Sequence, residues 1–342
     1  MTVRQIRGLN ALFFLRHLPQ RRYNNADTQA TPPGAARLLR KDTHPMATRK
    51  TGAKIIDGKK VASEILTELK VTVDELRKKG VQPGLAVVLV GENPASQVYV
   101  GAKRKTCVEL GIKSFSHDLP AGATEKKLLT LIAKLNADAR VHGILVQMPL
   151  PKHINEQRVL NAIDPDKDVD GFHPMNVGRL LNGEDCLKPC TPAGCQELLL
   201  RSGNDPKGKH VVIVGRSNIV GKPVAAMLMQ KAHGADATVT VCHSRTKNLA
   251  AITKTADILI AAIGVPEFVK ARMVRPGAVV IDVGVNRIPD ATKKSGTRLV
   301  GDVEFKGVAK KAKAITPVPG GVGPMTIAML MKNTVQAAAA RK

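Results

Sequence analysis

No tryptophan occurs in this chain, and two tyrosines and six phenylalanines bring the aromatic share of its 342 residues to only 2%. A protein that grips single-stranded nucleic acid by stacking bases on aromatic rings would be poorly equipped with so few. Apolar runs are short. None approaches the roughly 20 residues a helix needs to cross a bilayer, so no membrane span is expected. The five cysteines, Cys107, Cys186, Cys190, Cys195 and Cys242, are odd in number, include no CxxC pair and follow no secretory signal. A disulfide framework is therefore not expected, and a reducing compartment is the default. Cys186, Cys190 and Cys195 lie close together, but not at the spacing of a zinc ribbon or finger, and no histidine pair accompanies them. They read as ordinary thiols, and no metal is expected. Glycine and proline are not periodic, which excludes a collagen-like repeat. With 43% hydrophobic and 24% charged residues, the composition is that of a globular protein and not of a disordered one.

Positive charge is abundant. Fifty-three Lys and Arg face 28 Asp and Glu, a formal net charge of +25. Only eight of these cations and two of the acids lie in residues 1–45, so the body of the protein is itself basic. Such a body favours acidic partners: nucleic acid, anionic lipid, or small molecules bearing phosphate or carboxylate. Residues 1–45 differ in kind from the rest. Seven of their eight cations are Arg, the apolar patch Leu12-Phe13-Phe14-Leu15 is flanked by Arg7 and Arg16, and a Pro/Gly/Thr stretch runs from Ala30 to Gly34. Two readings stay open: a mitochondrial presequence, or an unstructured extension ahead of a natural start at Met46. A cytoplasmic protein is the expectation, and the mitochondrial matrix is the alternative.

From Lys54 onward helix and strand patterns alternate. Val61, Ile65, Leu69 and Val73 recur every fourth residue and predict a helix over 58–79. The apolar run Gly84–Val90 predicts a buried strand, followed by helices over 95–110 and 125–139 and a strand over Gly143–Gln147. A second series begins with a helix from Thr191, read as N-cap, with Pro192 in its first turn, to about Ser202. Strands over 210–214, 238–241, 258–261 and 278–281 follow, with helices over 221–231 and 248–255 between them. A last helix runs from Pro324 to about Ala339. The fold class is α/β. Buried strands alternating with helices imply parallel sheet covered on both faces, and the second series is a Rossmann-type, doubly wound nucleotide-binding pattern.

The strand over 210–214 runs into Gly215-Arg216-Ser217-Asn218-Ile219-Val220-Gly221-Lys222-Pro223. A glycine directly after a strand, opening a helix, lets backbone N–H groups approach a phosphate. Neither GxGxxG nor the P-loop pattern fits: Ser217 replaces the second glycine of the first, and Pro223 stands where the P-loop needs a hydroxyl. A tight packing turn is the plainer reading of that segment alone. The next strand ends in Cys242-His243-Ser244-Arg245-Thr246, without the acid that usually binds the ribose of NAD. A hydroxyl and a guanidinium there, with Arg216 in the turn, suit the 2′-phosphate of NADP.

In the helix after the first strand Tyr99 and Lys103 are four apart and share one face. The helix begins at the carboxyl end of a buried strand, where open α/β sheets bind ligands. A lysine partly desolvated there can act as a base; otherwise it is a surface ion pair. Gln147 closes the apolar run of the second strand and can hydrogen-bond that lysine. Lys167-Asp168-Val169-Asp170-Gly171 puts two carboxylates two apart in a turn, suited to a cation, to the donor edge of a heterocycle, or simply to capping the turn.

These segments, with Ile281-Asp-Val-Gly-Val-Asn286 and Pro317-Val-Pro-Gly-Gly-Val-Gly-Pro-Met-Thr326, occur in one order over about residues 54–340. The chain resembles the bifunctional methylenetetrahydrofolate dehydrogenase/methenyltetrahydrofolate cyclohydrolase family. The resemblance implies two α/β domains with a cleft between them: a folate-binding catalytic domain of residues 46–190 plus 324–342, and an NADP-binding Rossmann domain of residues 191–323. It implies Lys103 as the catalytic lysine of the cyclohydrolase step, Gln147 as its tuning partner, and Tyr99 packing on the folate. It further implies Asp170 on the amino edge of the pterin and Pro319, Gly320 and Gly321 lining the folate. Gly215, Arg216, Ser217, Ser244 and Val285 are implied as contacts to NADP. Tetrahydrofolate derivatives are the implied partners, with a homodimer, no metal, no nucleic acid and no membrane.

Overall fold

The computed structural model describes residues 52–293 and 295–341, so the expectations for residues 1–45 lie outside it. The chain runs β1 (Lys54–Ile55), α1 (Gly58–Lys78), β2 (Gly84–Val90), α2 (Pro94–Leu110), β3 (Lys113–Leu119), α3 (Glu125–Ala137), β4 (Gly143–Val146), α4 (Glu156–Ala162), α5 (Pro174–Asn182) and α6 (Cys190–Arg201). It continues β5 (His210–Val214), α7 (Gly221–Leu228), β6 (Thr238–Cys242), α8 (Leu249–Thr253), β7 (Ile258–Ala261), β8 (Val279–Asp282), β9 (Asn286–Pro289), β10 (Thr297–Val300), α9 (Phe305–Ala309), β11 (Ala314–Ile315) and α10 (Val322–Ala340).

Two parallel sheets result. One has three strands in the order β3-β2-β4, the other six in the order β1-β11-β8-β7-β5-β6, and β9 and β10 form a separate antiparallel hairpin. The chain reverses direction across each sheet at an inner strand: β3 and β4 flank β2, and, after the edge strand β1, β6 and β7 flank β5. The carboxyl ends at such a reversal diverge and leave a crevice for a ligand. Lys54 and Ile55, expected with the first domain, instead pair with Ala314 and Ile315 and cover the free edge of the six-stranded sheet.

Alternation along the strands divides the interior. Leu85, Val87 and Leu89 of β2 and Val211 and Ile213 of β5 face one continuous core, shared with α1, α6 and α10. Ala86, Val88 and Val90 face a second core with α3 and α4, and Val212 and Val214 face a third beneath the six-stranded sheet. Most of α10 lies in the shared core and is apolar, and only a narrow stripe that includes Lys332 and Gln336 reaches solvent. The five cysteines are free thiols and all buried. Burial raises the pKa of each, to about 12 for Cys107 and Cys195.

Three local expectations change. The hydroxyl of Thr191 does not cap α6; it meets Thr326 Oγ1 of α10 at 2.9 Å, and the helix begins at Cys190 behind Pro189. Helix α7 stops at Leu228, because the Leu228 and Gln230 carbonyls accept from Ala237 N and Asp236 N and turn the chain into β6. Strand β3 has no counterpart in the sequence pattern: its sequence KSFSHDL is polar and only half covered, as befits an edge strand.

One amide joins the shared core to the turn at 168–171. Asn333 in α10 is 5% exposed, and its Nδ2 donates to Val169 O and to Lys188 O, both at 2.8 Å. Asn333→Ala would remove both bonds, leaving Val169 O with only the weak thiol donor of Cys190 and Lys188 O without this partner. A loss of about 1–3 kcal/mol in urea-denaturation stability is expected. An unchanged midpoint would show that the amide is not a tether.

Candidate functional site

The first constellation sits where β2 and β4 end. Gly91 turns the chain out of β2. Asn93 then caps α2 by accepting from Ser96 N at 3.1 Å, with Pro94 in the first turn. This start fixes the face that carries Tyr99 and Lys103. Tyr99 is half exposed, whereas Lys103 is only 7% exposed and its Nζ donates to Gln147 Oε1 at 3.0 Å. Gln147 continues the ladder of β4 by donating its backbone N–H to Val88 O, and its Nε2 donates to Met148 O at 2.7 Å. The second bond fixes the amide so that its oxygen faces the lysine. The hydrogen bond of Lys103 is thus to a neutral dipole, and no carboxylate is in ion-pair contact with it among the described residues.

The turn at 168–171 gives its two aspartates different tasks. Asp168 is 1% exposed and accepts from His173 N at 2.8 Å and Asn176 Nδ2 at 3.0 Å, so it builds the turn. Asp170 keeps part of its surface open but is surrounded by protein. Desolvation raises its pKa to about 6, opposed by the positive charge of Lys103 and aided by the negative charge of Asp168. Lys167 turns the other way. It is fully buried, and its Nζ donates to Leu135, Asn136 and Asp138 carbonyls at 2.9, 2.7 and 2.9 Å, closing the end of α3. Cys190 lies behind Asp170 and donates its thiol to Val169 O at 3.2 Å. Pro319, Gly320 and Gly321 form the loop that opens α10, anchored to α1 by Lys59 N donating to Gly320 O at 3.2 Å.

The second constellation lies at the carboxyl ends of β5, β6 and β8. Gly215 (φ +136°) and Gly221 approach so closely that a Cβ on either would strike backbone, of Ala262 or of Gly215 itself. Ser217 Oγ accepts from Val220 N at 3.1 Å and Gly221 N at 3.4 Å, which spends its lone pairs on the turn and leaves only its proton for a ligand. Arg216, Ser244 and Arg245 are exposed, and neither arginine has an ion-pair partner among the described residues. Val285, also exposed, follows β8. A close backbone turn beside unpaired guanidinium groups fits a phosphorylated dinucleotide. No hydrogen bond among the described residues links this set to Lys103, Gln147 and Asp170. None of the described helices is long and apolar enough to cross a membrane, and the described residues hold no group of three or more His, Cys, Asp or Glu fit for a metal.

Sequence reasoning misses Asn333, the separate tasks of Lys167 and Asp168, and the closeness of Cys190 to Asp170. One signal is present: an amide in the otherwise apolar stretch from Val322 to Ala340 of α10.

Comparison with known proteins agrees with this geometry. The family model for the tetrahydrofolate dehydrogenase/cyclohydrolase catalytic domain matches residues 56–170, and that for the NAD(P)-binding domain of the same enzymes matches residues 189–342. The chain is 61% identical over 287 residues to the bifunctional protein FolD of Syntrophobacter fumaroxidans, covering 83% of this chain and 97% of that one. Among solved structures, the bifunctional FolD of Campylobacter jejuni superposes with a TM-score of 0.80 at 50% identity, over 85% of this chain and 100% of that one. The Trypanosoma brucei methylenetetrahydrofolate dehydrogenase-cyclohydrolase, solved with NADP and an inhibitor, gives a TM-score of 0.80 at 43% identity, over 85% and 99%.

The raised pKa of Asp170 has a stability consequence. Its folded value of about 6 lies above the ordinary 3.8, so the folded state binds the proton more tightly than the unfolded one. The contribution of Asp170 is therefore most favourable below pH about 4 and is lost as pH rises to about 6. Asp170→Asn should stabilise the free protein at pH 7 by about 1–3 kcal/mol and give no gain near pH 4, as read by thermal unfolding across pH. A gain independent of pH would contradict the assignment.

Proposed function

This chain belongs to the tetrahydrofolate dehydrogenase/cyclohydrolase family, and from that membership we propose how its residues divide the work. The protein is an NADP-dependent 5,10-methylenetetrahydrofolate dehydrogenase and a 5,10-methenyltetrahydrofolate cyclohydrolase. In our reading, residues 56–190 with 324–341 hold the folate and residues 191–323, with β1 on the edge of their sheet, hold NADP. NADP, when bound, takes up the hydrogen and electron pair that leave the bridging carbon.

The chain's own residues orient the substrate and manage its proton. Asp170, as a carboxylate, accepts two N–H bonds from the amino edge of the pterin. Tyr99 packs on the aromatic linker, and the Pro319-Gly320-Gly321 loop lines the opposite wall. Water adds to the methenyl carbon, and Lys103 takes the proton that this water releases. The carbinol oxygen then gives up its remaining proton as the C=O bond forms and one ring C–N bond breaks, the freed ring nitrogen takes up a proton, and 10-formyltetrahydrofolate results. The observation that carries this reading is the hydrogen bond of the nearly buried Lys103 to a neutral amide. A carboxylate in place of Gln147 would hold the lysine charged beside a cationic substrate. Gly215, Arg216, Ser217, Ser244 and Val285 bind NADP, with Arg216, Ser244 and Arg245 around its 2′-phosphate. We further propose a homodimer located in the cytoplasm, with tetrahydrofolate derivatives as its partners.

Lys103→Met keeps most of the side-chain length without the amine. Ring opening should fall about 10²–10⁴-fold, the worth of general acid–base catalysis, while NADP binding persists and methenyltetrahydrofolate accumulates. Its absorbance in a coupled assay tests this, and opening at the wild-type rate would exclude Lys103 as the base. Arg216→Ala should weaken NADP about 10- to 150-fold, the equivalent of ~1.5–3 kcal/mol for a charged hydrogen bond, and leave NAD almost unaffected. Equal loss for both dinucleotides in a titration would show that Arg216 does not read the 2′-phosphate.

A further inference from the structure

Two aspartates without an assigned task lie buried at the carboxyl edge of the six-stranded sheet. Asp282 closes β8 and Asp302 follows β10, and they are 3% and 0% exposed. Asp282 Oδ1 accepts from Gly284 N at 3.0 Å and Asp302 N at 2.9 Å, and its Oδ2 accepts from Val303 N at 3.0 Å. Asp302 Oδ2 accepts from Ile263 N at 2.7 Å and Gly264 N at 2.9 Å, and its Oδ1 accepts from Asn286 Nδ2 at 2.9 Å. The fit is close: a Cβ on Gly284 would strike the Asp302 carboxylate, and one on Gly301 that of Asp282. Neither acid has a cation partner among the described residues. Arg298, which shares with Asp282 the wall of a cavity of about 420 Å³, is already engaged by Glu267 at 3.9 Å and Asp290 at 3.5 Å. Burial, with the neighbouring charge of Asp302, raises the pKa of Asp282 to about 7. Each carboxylate is held by three N–H donors, and no side-chain cation among the described residues balances the pair.

We propose that this uncompensated negative charge sets the relative affinity for oxidised and reduced NADP, in favour of the oxidised form. The segments these carboxylates hold, 263–264 after β7 and 284–286 after β8, lie across β5 from Ser244 and Arg245. A dinucleotide whose 2′-phosphate sits at the end of β6 runs along the carboxyl edge, and its nicotinamide reaches β7 and β8. The oxidised ring is a cation and the reduced ring is neutral. In the reaction the bridging carbon gives up hydrogen with both bonding electrons, the ring receives them at C4, and the folate becomes the methenyl cation, with no proton released. Positive charge thus leaves the neighbourhood of the aspartates when the cofactor is reduced. Asp302 acts here as a positioning residue whose charge the ring senses.

The inference rests on the NADP placement proposed above, and the test separates the two. Dissociation constants of NADP+ and NADPH are measured by calorimetry on the wild type and on Asp302→Asn. Cofactor-free ring opening of methenyltetrahydrofolate reports whether the variant has folded. The variant should lose about tenfold more affinity for NADP+ than for NADPH. Equal losses would overturn the proposal and leave Asp302 as a loop support. Should Asp302→Asn not fold, Asp282→Asn carries the comparison at pH about 8.5, above the Asp282 pKa of about 7. The wild type adds an independent check: it should bind NADP+ at least as tightly as NADPH, and the reverse order would overturn the proposal. If wild-type protein bound neither form, the NADP placement itself would fall.

Discussion

Parallel strands buried on both faces need cover on each side, and this requirement shapes the whole protein. Two sheets could each have carried their own helices. Here α1, α6 and α10 instead form one layer whose inner residues belong to a single core reaching from Leu85 and Val87 to Val211 and Ile213. Because this face of α10 is enclosed, Asn333 must find partners inside, and it finds them in the carbonyls of the segments that carry Asp170 and Cys190. The position of Asp170 thus follows from how the last helix packs.

Electrostatics at the two sheet edges follow opposite plans. Around Lys103 stand an amide oxygen, a carboxyl whose pKa burial raises to about 6, and a thiol whose pKa burial raises well above the ordinary value. At the other edge two carboxylates share six N–H donors and no cation. Each arrangement costs stability, because a polar group is buried with less compensation than water would give it. Expense of that kind is characteristic of sites that do chemistry.

Much of this is legible in the sequence wherever one force dominates. Strands β2, β5, β7 and β8 are buried on both faces, so their apolar runs stand out. Gln147 closes the buried run of β4 and Lys103 lies in the helix that follows β2, so the amino-acid pattern allows their pairing, and the structure shows the hydrogen bond. Legibility fails where two forces compete. Strand β3 lies at an edge and is half wet, so its KSFSHDL pattern resembles a loop. Thr191 has the local features of an N-cap but finds a hydroxyl 135 positions away. Asp168 and Asp170 are the same residue type two apart. Only the donors of His173 and Asn176, which the fold of the following helix brings back to the turn, decide which of them builds the turn and which is left without such partners.

The buried thiols make this protein its own clock. All five cysteines are enclosed and poorly ionised, and the reactive form of a thiol is the thiolate. A thiol reagent added to the folded chain has no ready target. It must wait until a segment opens, and the cysteines mark four segments: Cys107 the end of α2, Cys186 the connection between α5 and α6, Cys190 and Cys195 the first turns of α6, and Cys242 the end of β6. Labelling rates read residue by residue would therefore give the order in which the two sheets and their shared helical layer come apart.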